Sequence, residues 1–196
     1  RSKSYGPQYP RGIQEGNGVP ADGDLWVSYS VNKEDMWISR IPVPVEINAS
    51  AHADDDFSKN KSIAELTDWN IYSPVWAPVS LEDQWLKLQD KDPFDYAKVE
   101  RKIPASKELK VSFDLKAGQN NKGTLQIEFL DENGIACSRM ELTDDGIFRL
   151  KGGSRFANMM KYEAGKIYHV EAVLSTVDRN IQVYVDDKRV DRKSVV

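Results

Sequence analysis

The sequence predicts an all-β protein, an antiparallel two-sheet β-sandwich or jelly roll preceded by a β-hairpin, and three observations carry that prediction. Apolar residues recur at every second position, most cleanly at Leu109, Val111, Phe113 and Leu115 between Glu108, Lys110, Ser112, Asp114 and Lys116, the period of a strand with one buried and one wet face. Turn-forming clusters punctuate the alternating segments at Glu132-Asn133-Gly134, Asp144-Asp145-Gly146 and Asp178-Arg179-Asn180, where Asn, Asp and Gly tolerate the positive φ of tight hairpins. No stretch repeats with the period of a long amphipathic helix, and strands at a spacing of roughly 8–14 residues mark sandwiches and barrels.

The elements follow in order. Residues 1–23 contain Gly6-Pro7, Gly12, Gly16-Asn17-Gly18 and Pro20 and read as loop. Leu25, Val27, Tyr29 and Val31 alternate with Trp26, Ser28 and Ser30, and after Asn32-Lys33-Glu34-Asp35 comes Met36-Trp37-Ile38-Ser39-Arg40-Ile41, a β-hairpin that Pro42 and Pro44 end because neither supplies a ladder N–H. Residues 1–48 therefore form a first segment, and 49–68 a polar linker in which Ser62-Ile63-Ala64-Glu65 has the spacing of a capping box for a short helical turn over 62–67. A second short turn is expected at Asp92-Pro93-Phe94-Asp95-Tyr96, with Asp92 as cap and Pro93 in the first helical position. Residues 69–196 form the sandwich: after Leu109–Leu115 come Leu125, Ile127 and Phe129; Met140 with Leu142; Phe148 with Leu150; Tyr168, Val170, Ala172 and Leu174; and Ile181, Val183 and Val185.

Composition bounds the function. With 40% hydrophobic and 30% charged residues, no apolar run approaches the roughly 18 residues of a membrane helix. The formal charge, 27 − 31 = −4, comes without any long basic block, so a nucleic-acid partner is not expected. The one cysteine, Cys137, allows neither an intrachain disulfide nor a thiolate metal cage and leaves the redox compartment open.

Two stretches resemble known families. The string Leu25-Trp26-Val27-Ser28-Tyr29-Ser30-Val31 followed by Asn32-Lys33-Glu34-Asp35-Met36-Trp37-Ile38-Ser39-Arg40-Ile41-Pro42-Val43-Pro44 resembles the end of the β-propeller in bacterial sialidase-like (BNR-repeat) glycan-active proteins. Trp69-Asn70-Ile71-Tyr72-Ser73-Pro74-Val75-Trp76-Ala77-Pro78-Val79, with Leu86-Lys87-Leu88-Gln89-Asp90 and the run from Asp92 to Arg101, resembles the concanavalin-like, LamG-type jelly roll that follows such propellers. The resemblance implies a secreted, periplasmic or cell-surface bacterial protein whose partner is a glycan or the rest of its own propeller. A jelly roll of this kind continues past Val185-Asp186-Asp187-Lys188 into another strand, and only eight residues remain to Val196, so a terminal strand is expected to be missing or supplied from elsewhere.

Flat amphipathic rings stack on the C–H face of a pyranose, which makes Trp69, Tyr72, Trp76 and Trp85 the glycan-contact candidates. The sandwich core competes for the same rings, above all for Trp76 between Val75 and Pro78. Arg101 is the charged-contact candidate and Arg139 a second, since a guanidinium binds a uronate or sialate carboxylate bidentately; ordinary ion pairs are the other use of both. Tyr29, Lys33, Glu34 and Asp35 either line a propeller-derived pocket or form a solvated hairpin tip.

Asp90, Asp92 and Asp95 are weak calcium candidates, followed by Asp54-Asp55-Asp56 and Asp144-Asp145, none with EF-hand spacing; capping by Asp92 and first-turn charge at Asp95 explain the first group without metal. His52 and His169, with no G-x-S-x-G motif, give no hydrolase triad, and Cys137 has no zinc partner at the usual spacing. The 31 acids pair by chance, so no catalytic residue is assigned. The expected function is a non-catalytic, carbohydrate-associated module without a cofactor; the alternatives are a fragment of a glycoside hydrolase or polysaccharide lyase whose active site lies mostly outside this chain, and a purely structural module.

Overall fold

The computed structural model describes residues 7–14, 24–31, 35–41, 52–91, 96–131 and 133–194. Two compact units divide the chain, Arg1–Pro104 and Ala105–Val196, and among the described residues both are built of antiparallel strands, with one 3-10 turn as the only helical element.

The first unit opens with a three-stranded sheet, β1 (Pro7–Gln14), β2 (Leu25–Val31) and β3 (Asp35–Ile41), in the order β1-β2-β3. The hairpin β2–β3 forms as its alternation requires, with Leu25 opposite Ile41 and Tyr29 opposite Trp37. The expectation of loop throughout 1–23 is corrected by β1. Pro7 stands first in the strand, where its missing N–H costs least, and the register slips between Gln8 and Arg11 at Tyr9, whose φ is 53°. That bulge absorbs Pro10 while pairing continues from Arg11 to Gln14.

Next comes η1 (Ile63–Glu65), a single 3-10 turn in place of the α-helical turn expected over 62–67. Its capping box is incomplete: the Ser62 side chain makes no capping bond, and the Glu65 carboxylate accepts from the backbone N–H of Lys61 instead of that of Ser62 (2.8 Å). The second expected turn falls on residues 92–95, outside the described ones. β4 (Trp69–Tyr72) pairs with β7 (Lys98–Arg101), and β5 (Val79–Glu82) with β6 (Trp85–Leu88). The β5–β6 hairpin turns on Asp83 and Gln84 at φ 49° and 67°, the paired positive φ that suits the right-handed twist of the flanking strands.

The second unit is a sandwich of two four-stranded sheets. β9 (Leu125–Leu130), β10 (Ala136–Leu142), β11 (Ile147–Gly152) and β12 (Arg155–Lys161) form a meander; β8 (Glu108–Lys116), β13 (Ile167–Ser175), β14 (Asn180–Val185) and β15 (Lys188–Ser194) form the other sheet in the order β15-β14-β13-β8. The chain therefore leaves one sheet after β8, builds the whole meander, and returns to pair β13 with β8 over nine registered positions. Period-two alternation turns Met140, Leu142, Phe148 and Leu150 of one sheet toward Tyr168, Val170, Ala172, Leu174, Ile181, Val183 and Val185 of the other. Met140, Leu150, Val170, Ile181 and Val183 are completely buried, each stabilising by about 1.5–3 kcal/mol relative to exposure.

Glycine is required at two of the turns: Gly134 and Gly146 lie at φ 77° and 76°, and each donates its N–H back to the start of its turn, to Asp131 and Thr143. The terminal strand expected to be missing is present as β15. Asp186 and Asp187, at φ 49° and 64°, close a two-residue turn that lays Lys188–Ser194 along β14, and Val190 packs against the core.

Candidate functional site

In the first unit, the loop after β4 presents one indole to solvent. Pro74 accepts the N–H of Ala77 in a tight turn (3.1 Å), the Trp76 carbonyl accepts the N–H of Lys91 (2.9 Å), and the Ser73 hydroxyl accepts the N–H of Val79 (2.8 Å). Ala77 and Val79 are buried, so the turn is pinned from below while Trp76, 61% exposed, and its neighbour Val75 project outward. Of the two uses open to Trp76, sugar contact or core, the core is not the one it takes: the buried Ala77 and Val79 after it anchor the loop, and the ring itself lies on the outside.

The other sequence candidates do different work. Trp69 is half-buried, packs at a tilt against Phe57 (5.8 Å between centroids), and buries an indole N–H with no hydrogen-bond partner among the described residues. Tyr72 is half-buried and tilted against the exposed ring of Tyr96 (5.5 Å). Trp85, also half-buried, opens β6 opposite Glu82.

Arg101 is not a free cation. Its Nε donates to Asp55 (2.9 Å), Nη2 pairs with Asp68 (3.2 Å), and Nη1 reaches the carbonyls of Asp68 and Lys102, leaving the side chain 13% exposed. With Phe57 on Trp69, it fastens the 52–68 segment to β4 and β7, the use of an arginine fork as a structural clamp.

Tyr29 is half-buried and shares a hydrogen bond with Ser39 (3.0 Å). Lys33, Glu34, Asp92 and Asp95, and the side chain of Asp35, lie outside the described residues. Asp55 is held by Arg101, and Asp56 accepts from Ser58, whose side-chain and backbone bonds hold its carboxyl below the usual range. Asp145 is likewise lowered, first by the hydroxyl of Thr143. These local bonds engage Asp55, Asp56 and Asp145, and no group of three or more His, Cys, Asp or Glu placed to hold a metal ion occurs among the described residues.

Cys137 sits where the β9–β10 register slips, its Sγ against the Phe129 carbonyl (3.1 Å), with burial pushing the thiol pKa up. That state disfavours the nucleophilic thiolate.

Both outer faces of the sandwich carry polar side chains at the outward positions of their strands. On the β8–β13–β14 side, His169, Glu171, Tyr184 and Asp187 line an open depression of about 200 Å³. The His169 imidazole bonds to Asp114 (2.8 Å), which raises its pKa, with further contributions from Asp187 and Glu171.

On the meander side, Glu141 is a buried carboxylate held by Arg149 (2.9 and 2.7 Å), Gln126 (3.3 Å) and Arg139 (3.5 Å), and the Arg149 guanidinium lies 4.2 Å from the centroid of the Phe156 ring. Alternation marks 139, 141, 149 and 151 as outward positions, so this cluster has a signal in the sequence; the burial of Glu141 has none, because it arises from Arg139 of its own strand and Arg149 of the next closing over it.

No curated protein matches the chain. A solved structure titled "Sialidase" is similar to 98% of the chain at 88% identity with a TM-score of 0.83, and the chain spans 18% of that protein's length. The sequence model of the family described as "Sialidase-like, CBM domain" matches residues 69–196, and with most of its length inside that match the chain belongs to this family.

Proposed function

We propose that this chain is a non-catalytic carbohydrate-binding part of a larger sialidase-related, glycan-active protein that works at or outside the cell surface. One observation carries the reading: Trp76, 61% exposed, on a turn fixed by backbone hydrogen bonds. A flat ring held this way loses little conformational entropy when it stacks on a sugar. Val75 and Trp76 together offer an apolar contact surface, whereas Arg101 and Trp69 serve the fold, so Trp76 is the principal sugar contact and the other two act by holding the scaffold. Residues 1–48 fit the tail of a BNR-type propeller and 69–196 a LamG-type jelly roll; the start of the family match at residue 69 supports that division.

A single ring with a few polar contacts gives weak binding, on the order of tens of micromolar to millimolar. Titration calorimetry of the chain against neutral oligosaccharides tests the reading. Saturable binding that Trp76→Ala removes while the fold persists is the expected result, and no saturable binding to any glycan overturns it. The reading requires no cofactor, so chelation with EDTA leaves the titration unchanged; binding that returns only with added calcium assigns a metal role to the Asp90 loop instead.

A further inference from the structure

The meander sheet carries a second surface that the Trp76 reading does not use. Inward residues such as Met140 and Leu150 fix the parity of the strands, so Arg139 and Glu141 on β10, Arg149 and Lys151 on β11, and Phe156 on β12 face away from the core. Two carboxylates, Glu128 and Glu141, are taken up by the two arginines: Arg139 donates to Glu128 (2.6 Å) and reaches Glu141 (3.5 Å), and Arg149 donates twice to Glu141. Lys151, directly opposite Phe156, has no carboxylate partner among the described residues; its ammonium lies 5.6 Å from the ring centroid, beside the Arg149 guanidinium at 4.2 Å. Phe156 remains 39% exposed. The face therefore holds an exposed aromatic ring against a doubly anchored arginine, next to positive charge that no side chain among the described residues neutralises.

We infer that the outer face of the β9–β12 sheet binds an acidic polysaccharide, with Phe156 stacking on a sugar ring and Lys151 pairing with its carboxylate or sulfate. Charge complementarity selects the ligand: an aromatic surface alone would suit a neutral sugar, but an ammonium without a carboxylate partner beside it favours an anion. Nucleic acid fits less well, because both arginines are already neutralised and the chain carries a net charge of −4. The inference rests on the carbohydrate reading only for the class of ligand, and it shares no residue with the Trp76 turn.

The test is calorimetric titration of the whole chain with galacturonan hexasaccharide, heparin-derived hexasaccharide and cellohexaose, at low salt and at about 0.5 M salt. At least one acidic probe is expected to bind more tightly than cellohexaose and to weaken with salt. Lys151→Gln and Phe156→Ala should each lower that affinity by about fivefold or more, and Trp76→Ala should leave it unchanged. A preference for heparin fragments assigns sulfate as the recognised group, and a preference for galacturonan assigns carboxylate.

Phe156→Leu, which keeps apolar bulk without the ring, guards against a folding defect and is expected to weaken binding as Phe156→Ala does. Acidic probes binding no more tightly than cellohexaose, full affinity in folded Lys151→Gln, or equal Lys151-dependent binding of oligothymidylate would overturn the inference. Trp76-dependent binding of neutral sugar that persists in any of these outcomes leaves the proposed function standing.

Discussion

Glu141 and Arg149 face each other across β10 and β11, and a single carboxylate oxygen of Glu141 accepts from both Nε (2.9 Å) and Nη2 (2.7 Å) of Arg149. Glu141 is 3% exposed although it stands on the outer side of the sheet. Removing the arginine strands a buried carboxylate, whereas removing the carboxylate leaves arginines that can turn to water. Arg149→Ala is therefore expected to destabilise the chain by about 2–4 kcal/mol, more than Glu141→Gln does. Urea unfolding monitored by circular dichroism measures both, and a larger loss in Glu141→Gln contradicts the asymmetry.

The two tryptophans around β4 should separate stability from binding. Trp76→Ala removes an exposed ring and is expected to shift stability by no more than about 0.5 kcal/mol. Trp69→Ala removes the packing on Phe57 and is expected to cost about 1–3 kcal/mol while leaving the Trp76 turn intact. Thermal melts of the two variants beside the glycan titration resolve the two roles.

His169 predicts a pH effect of defined sign. The hydrogen bond that the imidazole donates to Asp114 first, and the neighbouring carboxylates of Asp187 and Glu171 after it, raise its pKa above the ordinary 6.5 in the folded chain. The folded state thus holds the proton more tightly than the unfolded chain. Its contribution is complete below pH 6.5 and is lost as the pH climbs through the raised folded value. Asp114→Asn should move the His169 titration back down, followed by the imidazole resonances in NMR; an unchanged midpoint would show that the contact is not made in solution.

Met140 lies at the centre of the sandwich with no exposed surface. Met140→Ala opens a cavity between the sheets and is expected to cost about 2–5 kcal/mol, while Met140→Leu, which conserves volume, costs less than about 1.5 kcal/mol. Equal losses in the two variants on denaturant titration would mean that the inter-sheet space is not close-packed there.

The strands of the second unit were legible because each buries one face, and a one-residue slip would expose Val170, Ala172 and Leu174 together. β1 was not legible, since its glycines and prolines signal turns and its pairing depends on a bulge at Tyr9 that only the partner strand reveals. β15 was hidden for a related reason: Lys188–Ser194 is polar in sequence, and a turn of two aspartates with positive φ gives no glycine signal. Among the candidate site residues, Arg101 is held in ion pairs and Trp76 is exposed, outcomes that their residue types leave open. An arginine can end as a clamp or a ligand contact, and a tryptophan as core or platform, depending on neighbours such as Asp55, Asp68 and Lys91 that are distant in the chain.

The sequence by itself determined the all-β class, the inner faces of the sandwich strands and the glycine turns at Gly134 and Gly146, because periodicity and allowed φ are local properties of the chain. Tertiary structure alone decided that β8 pairs with β13 across the intervening meander, that Glu141 is buried beneath two arginines, and that Trp76 faces water. Each of those outcomes depends on which distant residues are brought within a few ångströms, and burial, ion pairing and exposure exist only once that proximity has been set.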